Sequence, residues 1–202
     1  VYIDLTMPVS EKMPPFPGEQ GFLCESSTTV EREGWNARRI AFPSHFSTHV
    51  DAPYHMLAKG RQLEEYPPET FFGEAFVVDV RGKTTITLQD LPLPFSEPFL
   101  LFWTGQDRKA SLGGAYFEGN PVVALDAAEA LAKVPTLRGV GLDSFTLDNY
   151  PYLGHKALFR EGILIIENLV GLERVFPRCR LVVAPLNLQD GDGAPARVFA
   201  QL

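Results

Sequence analysis

Short apolar segments from Glu74 onwards constrain the fold of the chain most. Five of them have the length of a strand: EAFVVDV, FLLFW, GVGLD, GILIIE and RLVVAPL. The first two carry apolar residues at consecutive positions, which is typical of strands that are covered on both faces. We therefore expect a sheet whose strands are packed against other layers on both sides.

The clearest helical segment is DAAEALAKV, from Asp126 to Val134. Asp126 can cap its start, Glu129 three residues later completes a capping-box pattern, and Pro135 can end it. Because strand, helix and strand patterns alternate in the second half of the chain, we predict an α/β fold with a mixed central sheet.

The N-terminal part of the chain is predicted to be extended and rich in turns. VYIDLT has the pattern of a strand, EKMPPFPGEQG that of turns, and polar segments such as ESSTTVERE and NARRIAF flank Gly34. The 17 prolines and 17 glycines are scattered along the chain, and no repeat or linker appears. With 202 residues, 45% of them hydrophobic, the chain can bury one core, so we predict a single domain over residues 1–202.

Charge and composition argue against several classes of function. Lysine and arginine number 18 against 25 aspartates and glutamates, a net charge of −7 that disfavours nucleic acid and anionic lipid as partners. No apolar run approaches the roughly 20 residues that cross a bilayer, and VYIDLTMPVS lacks the pattern of a signal peptide. We expect a cytoplasmic protein. Cys24 and Cys179 are far apart and outside any CxxC pattern, so they predict neither a disulfide framework nor a thiolate zinc site.

Three of the four histidines lie in the segment PSHFSTHVDAPYH, together with Asp51. A straight strand would separate His45 and His49 by about 13 Å, too far for one ion, whereas a loop or a single helical turn would bring them within reach. Pro43 and Pro53 favour the loop. Two imidazoles and one carboxylate would leave open positions on an ion, as in catalytic metal sites. Ordinary hydrogen-bonded histidines are the alternative, but three of them beside an aspartate make it the weaker interpretation.

The same segment resembles the HxGTHxDxPxH signature of the cyclase family, metal-dependent hydrolases that include bacterial kynurenine formamidases and isatin hydrolases. Other parts of the chain are similar to further family motifs: IDLTMPVS, PPFPGE, LDSFTLD, GHKALFREGILIIENL and APLNLQDGDGAPARVFAQL. The resemblance implies a swivelling β/β/α fold. It also implies a divalent ion, Zn²⁺ or Mn²⁺, held by His45, His49 and Asp51.

For the formamidase branch of the family, the resemblance implies a second ion and a proton carrier. Asp51 would bridge to that ion, which His155 and Glu167 would complete, and His55 would donate and accept protons. The alternative for Glu167 is a salt bridge to Lys156 or to an arginine.

The chain also departs from the family pattern. Ser47 stands at a glycine position of the signature, Lys156 where a second histidine is frequent, and Phe16 where a substrate-contacting tryptophan is frequent.

Hydrolysis of an amide is the predicted reaction, with an N-formyl arylamine or a cyclic aryl amide as the leading substrate class. A metal-dependent cyclase or lyase and a non-catalytic metal-binding module are the alternatives, and His55 argues against the latter because a three-ligand structural site does not need it. An aryl pocket could be formed by aromatic residues such as Phe16, Phe46, Tyr54 and Trp103.

Two aspartates and the assembly state complete the expectations. Asp143 and Asp148 could each accept a hydrogen bond from a metal-bound imidazole or stabilise a turn, and the turn is favoured for Asp148. Because members of the family pair, the resemblance also implies a homodimer or homotetramer.

Overall fold

The computed structural model describes residues 1–202 and contains twelve β-strands and three α-helices. The strands are β1 (Tyr2–Asp4), β2 (Leu23–Thr28), β3 (Ala37–Ala41), β4 (His49–Asp51), β5 (Phe72–Asp79), β6 (Thr85–Ile86), β7 (Phe99–Trp103), β8 (Val122–Val123), β9 (Gly139–Leu142), β10 (Leu164–Glu167), β11 (Arg178–Pro185) and β12 (Gly193–Gln201). The helices are α1 (Val30–Glu33), α2 (Leu125–Leu131) and α3 (Leu153–Arg160). Short 3₁₀ segments connect them, among them Pro53–His55.

Eight strands form one sheet in the order β1-β12-β11-β5-β7-β9-β10-β4. Because β4 pairs with β12 as well as with β10, seven of these strands close into a ring. The eighth strand, β1, pairs antiparallel with the C-terminal part of β12. The neighbours β5, β7, β9 and β10 run parallel, whereas β11, β12 and β4 pair antiparallel. The predicted α/β fold with a mixed central sheet is therefore confirmed.

Alternate residues of β7 belong to two different packing layers. Phe99, Leu101 and Trp103 pack with residues of the neighbouring strands, whereas Leu100 and Phe102 pack with the apolar faces of α2 and α3. All five residues are buried, as expected for a strand covered on both faces. Helices α2 and α3 thus form a layer against one surface of the sheet.

The predicted helix over Asp126–Val134 exists, but its boundaries and caps differ. Helix α2 starts at Leu125, and its N-cap is Ala124, which makes no side-chain cap. The Ala124 amide donates to the Ile86 carbonyl, and this contact holds residue 124 extended, so the helix begins one residue before Asp126. Asp126 instead accepts a hydrogen bond from the next amide, and the predicted capping box with Glu129 does not form.

Two smaller sheets stand apart from the ring. Strands β2 and β3 pair antiparallel, and β6 and β8 pair parallel. We propose that residues 1–202 form one domain, because β1 and β12, from opposite ends of the sequence, are neighbours in the same sheet. None of the helices has the length and apolarity needed to traverse a bilayer.

Candidate metal centre and its cleft

The histidine-rich segment folds as turn, strand and turn. His45 lies in the turn before β4, His49 and Asp51 belong to β4, and His55 ends the 3₁₀ segment Pro53–His55. The loop that was one of two predicted ways to bring His45 near His49 is therefore present. Its backbone has φ of 61° at Ser47, the left-handed region in which the family signature carries glycine. The Ser47 hydroxyl donates to the Met7 carbonyl at 2.7 Å.

Strand β10 and helix α3 bring the remaining histidine and the glutamate to this segment. In the antiparallel ladder of β4 and β10, Glu167 stands directly opposite His49, with Oε2 3.6 Å from Nε2 of His49. His155 comes from the first turn of α3, and its Nε2 lies 3.2 Å from Oε1 of Glu167. The five side chains proposed as metal ligands therefore converge.

Asp51 lies at the centre of this group. Its Oδ1 is 2.6 Å from Nδ1 of His45 and 3.1 Å from Nε2 of His49, and its Oδ2 is 3.9 Å from Nε2 of His155. A carboxylate that three imidazoles surround can bridge two ions, the role that the family resemblance implies for Asp51.

Proximity groups the donors differently from the predicted sets. The ligand atoms of His45, Asp51 and His55 lie within 4.8 Å of one another. Those of His49, Asp51 and Glu167 form a second such set. His49 joins Glu167 because the two are paired in the ladder. His55 joins His45 because the turn at Pro53 returns its ring to 3.9 Å from that of His45, centroid to centroid.

Each of the three proposed histidine ligands has an acceptor on its outer nitrogen. Nδ1 of His49 donates to the Ser47 carbonyl at 2.8 Å, Nδ1 of His155 contacts Asp148, and Nε2 of His45 lies 2.9 Å from Asp192. Such acceptors orient imidazoles in metal sites and leave the other nitrogen for the ion.

Asp148 and Asp192 are the carboxylates among these acceptors. Asp148 has both of the roles considered for it, although only the turn was favoured. One oxygen accepts the Gly154 amide, and the other contacts Nδ1 of His155. Asp192 was not singled out from the sequence, although its place between two glycines before a strand was visible in QDGDGAP. The hydrogen bond from His45 lowers the pKa of Asp192 to about 2.

The electrostatics of the centre favour a bound cation. Asp51 and Glu167 are buried, and their only ion-pair partners are histidines. Lys156, the alternative partner for Glu167, donates to the Pro151 carbonyl instead. Burial opposes the protonation of buried imidazoles. Even so, the charge of Asp51 raises the pKa of His45 to about 10, and the hydrogen bonds to Asp148 and Glu167 do the same for His155.

These observations fit a divalent metal ion. Buried acids without lysine or arginine need another positive charge, and a set of imidazoles and carboxylates is what Zn²⁺ and Mn²⁺ accept in proteins.

A cleft of about 330 Å³ opens onto the centre. Its apolar wall contains Phe16, Phe145, Met56 and Tyr152, and its remaining lining residues are Glu19, His45, His49, Asp51, His55, Thr146, His155 and Glu167. Phe16 is half exposed and packs edge-on against Phe117.

Of the four aromatic residues proposed for an aryl pocket, only Phe16 lines this cleft. Phe46 is buried and packs against Phe22 and Phe42, and Trp103 packs against Phe176 under the Arg81 guanidinium. Tyr54 is exposed outside the cleft. Phe145 and Tyr152 take their place because the LDSFTLDNYPY segment folds over the centre, a long-range contact without a local sequence signal.

Asp143 serves the fold and makes no contact with an imidazole. One carboxylate oxygen accepts hydrogen bonds from the amide and hydroxyl of Thr104, at 2.7 and 2.6 Å, and the other accepts the Gly105 amide at 2.8 Å. Burial raises the pKa of Asp143 to about 6, although these hydrogen bonds oppose the shift.

Comparison with known proteins places the chain in a family. The model of the family described as "Putative cyclase" matches residues 3–149. The chain belongs to this cyclase family. A kynurenine formamidase of Bacillus cytotoxicus is 31% identical to it over 98% of the chain and 96% of the relative. The sequence-based assignment to the cyclase family is thus confirmed.

Solved structures share the fold. A "predicted metal-dependent hydrolase" from Bacillus stearothermophilus is 32% identical with a TM-score of 0.83, over 99% of this chain and 97% of the other. Isatin hydrolase A from Ralstonia solanacearum has a TM-score of 0.88 at 23% identity, over 99% and 91% of the two chains.

Proposed function

We propose that the protein hydrolyses small aryl amides, with an N-formyl arylamine or a cyclic aryl amide as substrate. The observation that carries this proposal is the place of His55, an imidazole that lines an aromatic cleft and stacks beside the candidate metal centre. The similarity to kynurenine formamidases over nearly the whole chain confirms the expectation of a hydrolase over a non-catalytic metal-binding module.

The ligand assignment follows the predicted sets. His45, His49 and Asp51 would hold one divalent ion, Zn²⁺ or Mn²⁺, and Asp51, His155 and Glu167 would hold a second. When bound, such an ion lowers the pKa of coordinated water to about 7 and polarises an amide carbonyl. Ser47, Asp148 and Asp192 keep the imidazoles oriented from outside.

His55 carries the proton. Its Nδ1 faces Asp192 at 3.6 Å, so Nε2 is the nitrogen that accepts a proton from water and returns it to the leaving amide nitrogen. Burial lowers the pKa of His55, which keeps the imidazole neutral and able to accept. The half-buried position of His55 at the cleft lets it reach both the substrate and the centre.

The cleft supports an uncharged aryl substrate. Phe16, Phe145 and Tyr152 offer aromatic faces to an aryl ring. Apart from the proposed ligands and His55, Glu19 is the only acidic or basic residue in the lining, and neither lysine nor arginine lines it. A substrate carboxylate would therefore find no lysine or arginine to bind in the lining.

A substrate panel tests the proposal. The protein, loaded with Zn²⁺ or with Mn²⁺, is assayed against formanilides, lactams, cyclic imides and isatin-like compounds, with an aliphatic formamide as the control for the aryl requirement. We expect turnover of at least one aryl amide that metal chelation abolishes. Ring closure of the opened acids, without any hydrolysis, would instead favour the cyclase alternative.

We further propose that the chain self-associates as a homodimer or homotetramer. The β2–β3 hairpin exposes Leu23, Trp35 and Ile40, and it stands apart from the main sheet. Light scattering at working concentrations would contradict this proposal if it gave the mass of a monomer with activity intact.

A further inference from the structure

The carboxylate of Asp192 lies between two histidines with different proposed roles. Its Oδ2 is 2.9 Å from Nε2 of His45, a proposed metal ligand, and 3.6 Å from Nδ1 of His55, the proposed proton carrier. The planes of the two rings are inclined by 35°. One carboxylate oxygen thus faces both rings of a closely packed pair.

Backbone contacts fix the loop that carries Asp192. Its carbonyl accepts a hydrogen bond from the Ala52 amide at 2.9 Å, in the segment that holds the proposed ligands. The next residue, Gly193, pairs with Asp51 between β12 and β4. A Cβ at Gly193 would lie 2.6 Å from Cε1 of His45, so the loop can approach this ring only with glycine there. Asp192 is therefore held in register with the metal-binding segment.

We propose that Asp192 is a positioning residue that sets the orientations of His45 and His55 together. The proposal rests on the proposed function, because it takes His55 as the proton carrier. The hydrogen bond at Nε2 of His45 directs Nδ1 of that ring towards Asp51. A carboxylate opposite Nδ1 of His55 favours the tautomer that carries its proton there, which leaves Nε2 to act as the base. At 3.6 Å the contact with His55 is the longer and weaker of the two.

The test compares Asp192→Ala and Asp192→Asn in the wild-type and the His55→Ala backgrounds. Asp190→Asn is the matched control, because Asp190 is exposed in the same loop and its φ of 56° suits asparagine. Two quantities are measured: metal affinity by competition with a chelator, and kcat on an aryl amide at saturating metal. Circular dichroism and thermal melts check that each variant folds.

We expect Asp192→Ala to lower kcat and metal affinity by about 10- to 100-fold each in the wild-type background. Asp192→Asn should lose less, because its amide oxygen can still accept from one imidazole. In the His55→Ala background, Asp192→Ala should change kcat by less than about twofold, since a residue that acts through His55 has nothing left to orient. The loss of metal affinity should persist there, because His45 remains.

Equal losses of kcat in the two backgrounds would overturn the proposal, since Asp192 would then stabilise only the loop. Unchanged kcat and metal affinity in both Asp192 variants would overturn it as well. If Asp192→Ala does not fold, Asp192→Asn in the same two backgrounds decides. If the wild type turns over no aryl amide, the proposed function fails. Chelator competition then decides the contact with His45: lost affinity supports it, and unchanged affinity overturns it.

Discussion

Two halves of the candidate centre differ in their exposure to solvent. In the outer half, the side chains of His45, His55 and Asp192 are 17%, 29% and 40% exposed. In the inner half, those of His155, Glu167 and Asp148 are 2%, 6% and 10% exposed. Asp51 contacts imidazoles of both halves and is itself 2% exposed.

This difference separates the proposed ligands of the second ion from the proposed proton carrier. A buried carboxylate is costly unless a cation compensates it, so the inner half suits an ion and offers little access to water. Both halves contribute lining residues to the cleft, but His55 of the outer half is the more exposed, so its imidazole can exchange protons with water and substrate. We therefore expect substitutions in the two halves to change different measured quantities.

The largest effect is expected where the halves meet. Asp51→Ala should abolish metal binding and activity together, and so should His49→Ala. Both losses should exceed the about 10- to 100-fold loss in metal affinity or activity expected when the hydrogen-bond acceptor of a ligating imidazole is removed. Metal analysis after gel filtration and kcat measure the two losses. Asp126→Asn, at an exposed acid on α2, is the control. If both variants kept full metal content, the ligand assignment would be wrong.

In the outer half, His55→Ala should lower kcat by about 10²-fold or more while the metal content stays unchanged. Such a result would separate the proton carrier from the ligands, although proximity alone groups His55 with His45 and Asp51. Metal analysis and the pH profile of kcat are measured on the same preparations. An active variant with an unchanged pH profile would remove the role, and loss of metal would make His55 a ligand.

The sequence predicted what depends on local pattern. The apolar runs predicted strands, and the spacing of His45, His49 and Asp51 indicated a bent metal-binding segment. Glu167 and His155 were assigned through family resemblance, because their nearness to Asp51 depends on the β4–β10 ladder, which joins segments more than 100 residues apart.

Two kinds of feature escaped sequence reasoning. Asp192 and Phe145 reach the centre from loops whose positions are set by strand pairing and by packing, and a single sequence carries no signal for such contacts. The caps of α2 were also wrong, because a hydrogen bond from Ala124 to β6 determined where the helix begins. Tertiary contacts overrode a local capping pattern there.

The inner half offers a sharper test of the two-ion proposal. Glu167→Gln should abolish the weaker of two metal-binding steps in a titration and leave the stronger one, because Asp51 is shared and the second site draws on an acid already engaged. Calorimetric titration with Zn²⁺ or Mn²⁺ measures both steps. Glu161→Gln, at an exposed acid just beyond α3, is the matched control. A wild-type enzyme fully active with one ion per chain would make His155 and Glu167 ligands of substrate or water instead.

The smallest expected effect concerns Asp143, a buried acid outside both halves. It tests whether burial alone, without imidazole partners, sets the charge of a carboxylate. Burial raises the pKa of Asp143 from 3.8 to about 6. The folded state therefore holds this proton more tightly than the unfolded state, and its stability should fall as the pH rises from about 4 to 6, then stay level. The change is about 3 kcal/mol, since one pKa unit corresponds to about 1.4 kcal/mol.

Asp143→Asn isolates this contribution, because it removes the titration and keeps one acceptor oxygen for Thr104. Its new amide group faces the Gly105 N–H, a mismatch of two donors that costs about 1–3 kcal/mol at every pH. Urea unfolding of both proteins in chelator between pH 4 and 7 measures the difference in stability. We expect the advantage of the wild type to shrink as the pH rises. A difference that stays constant over this range would mean that the three hydrogen bonds keep Asp143 ionised, and that burial alone does not set its charge.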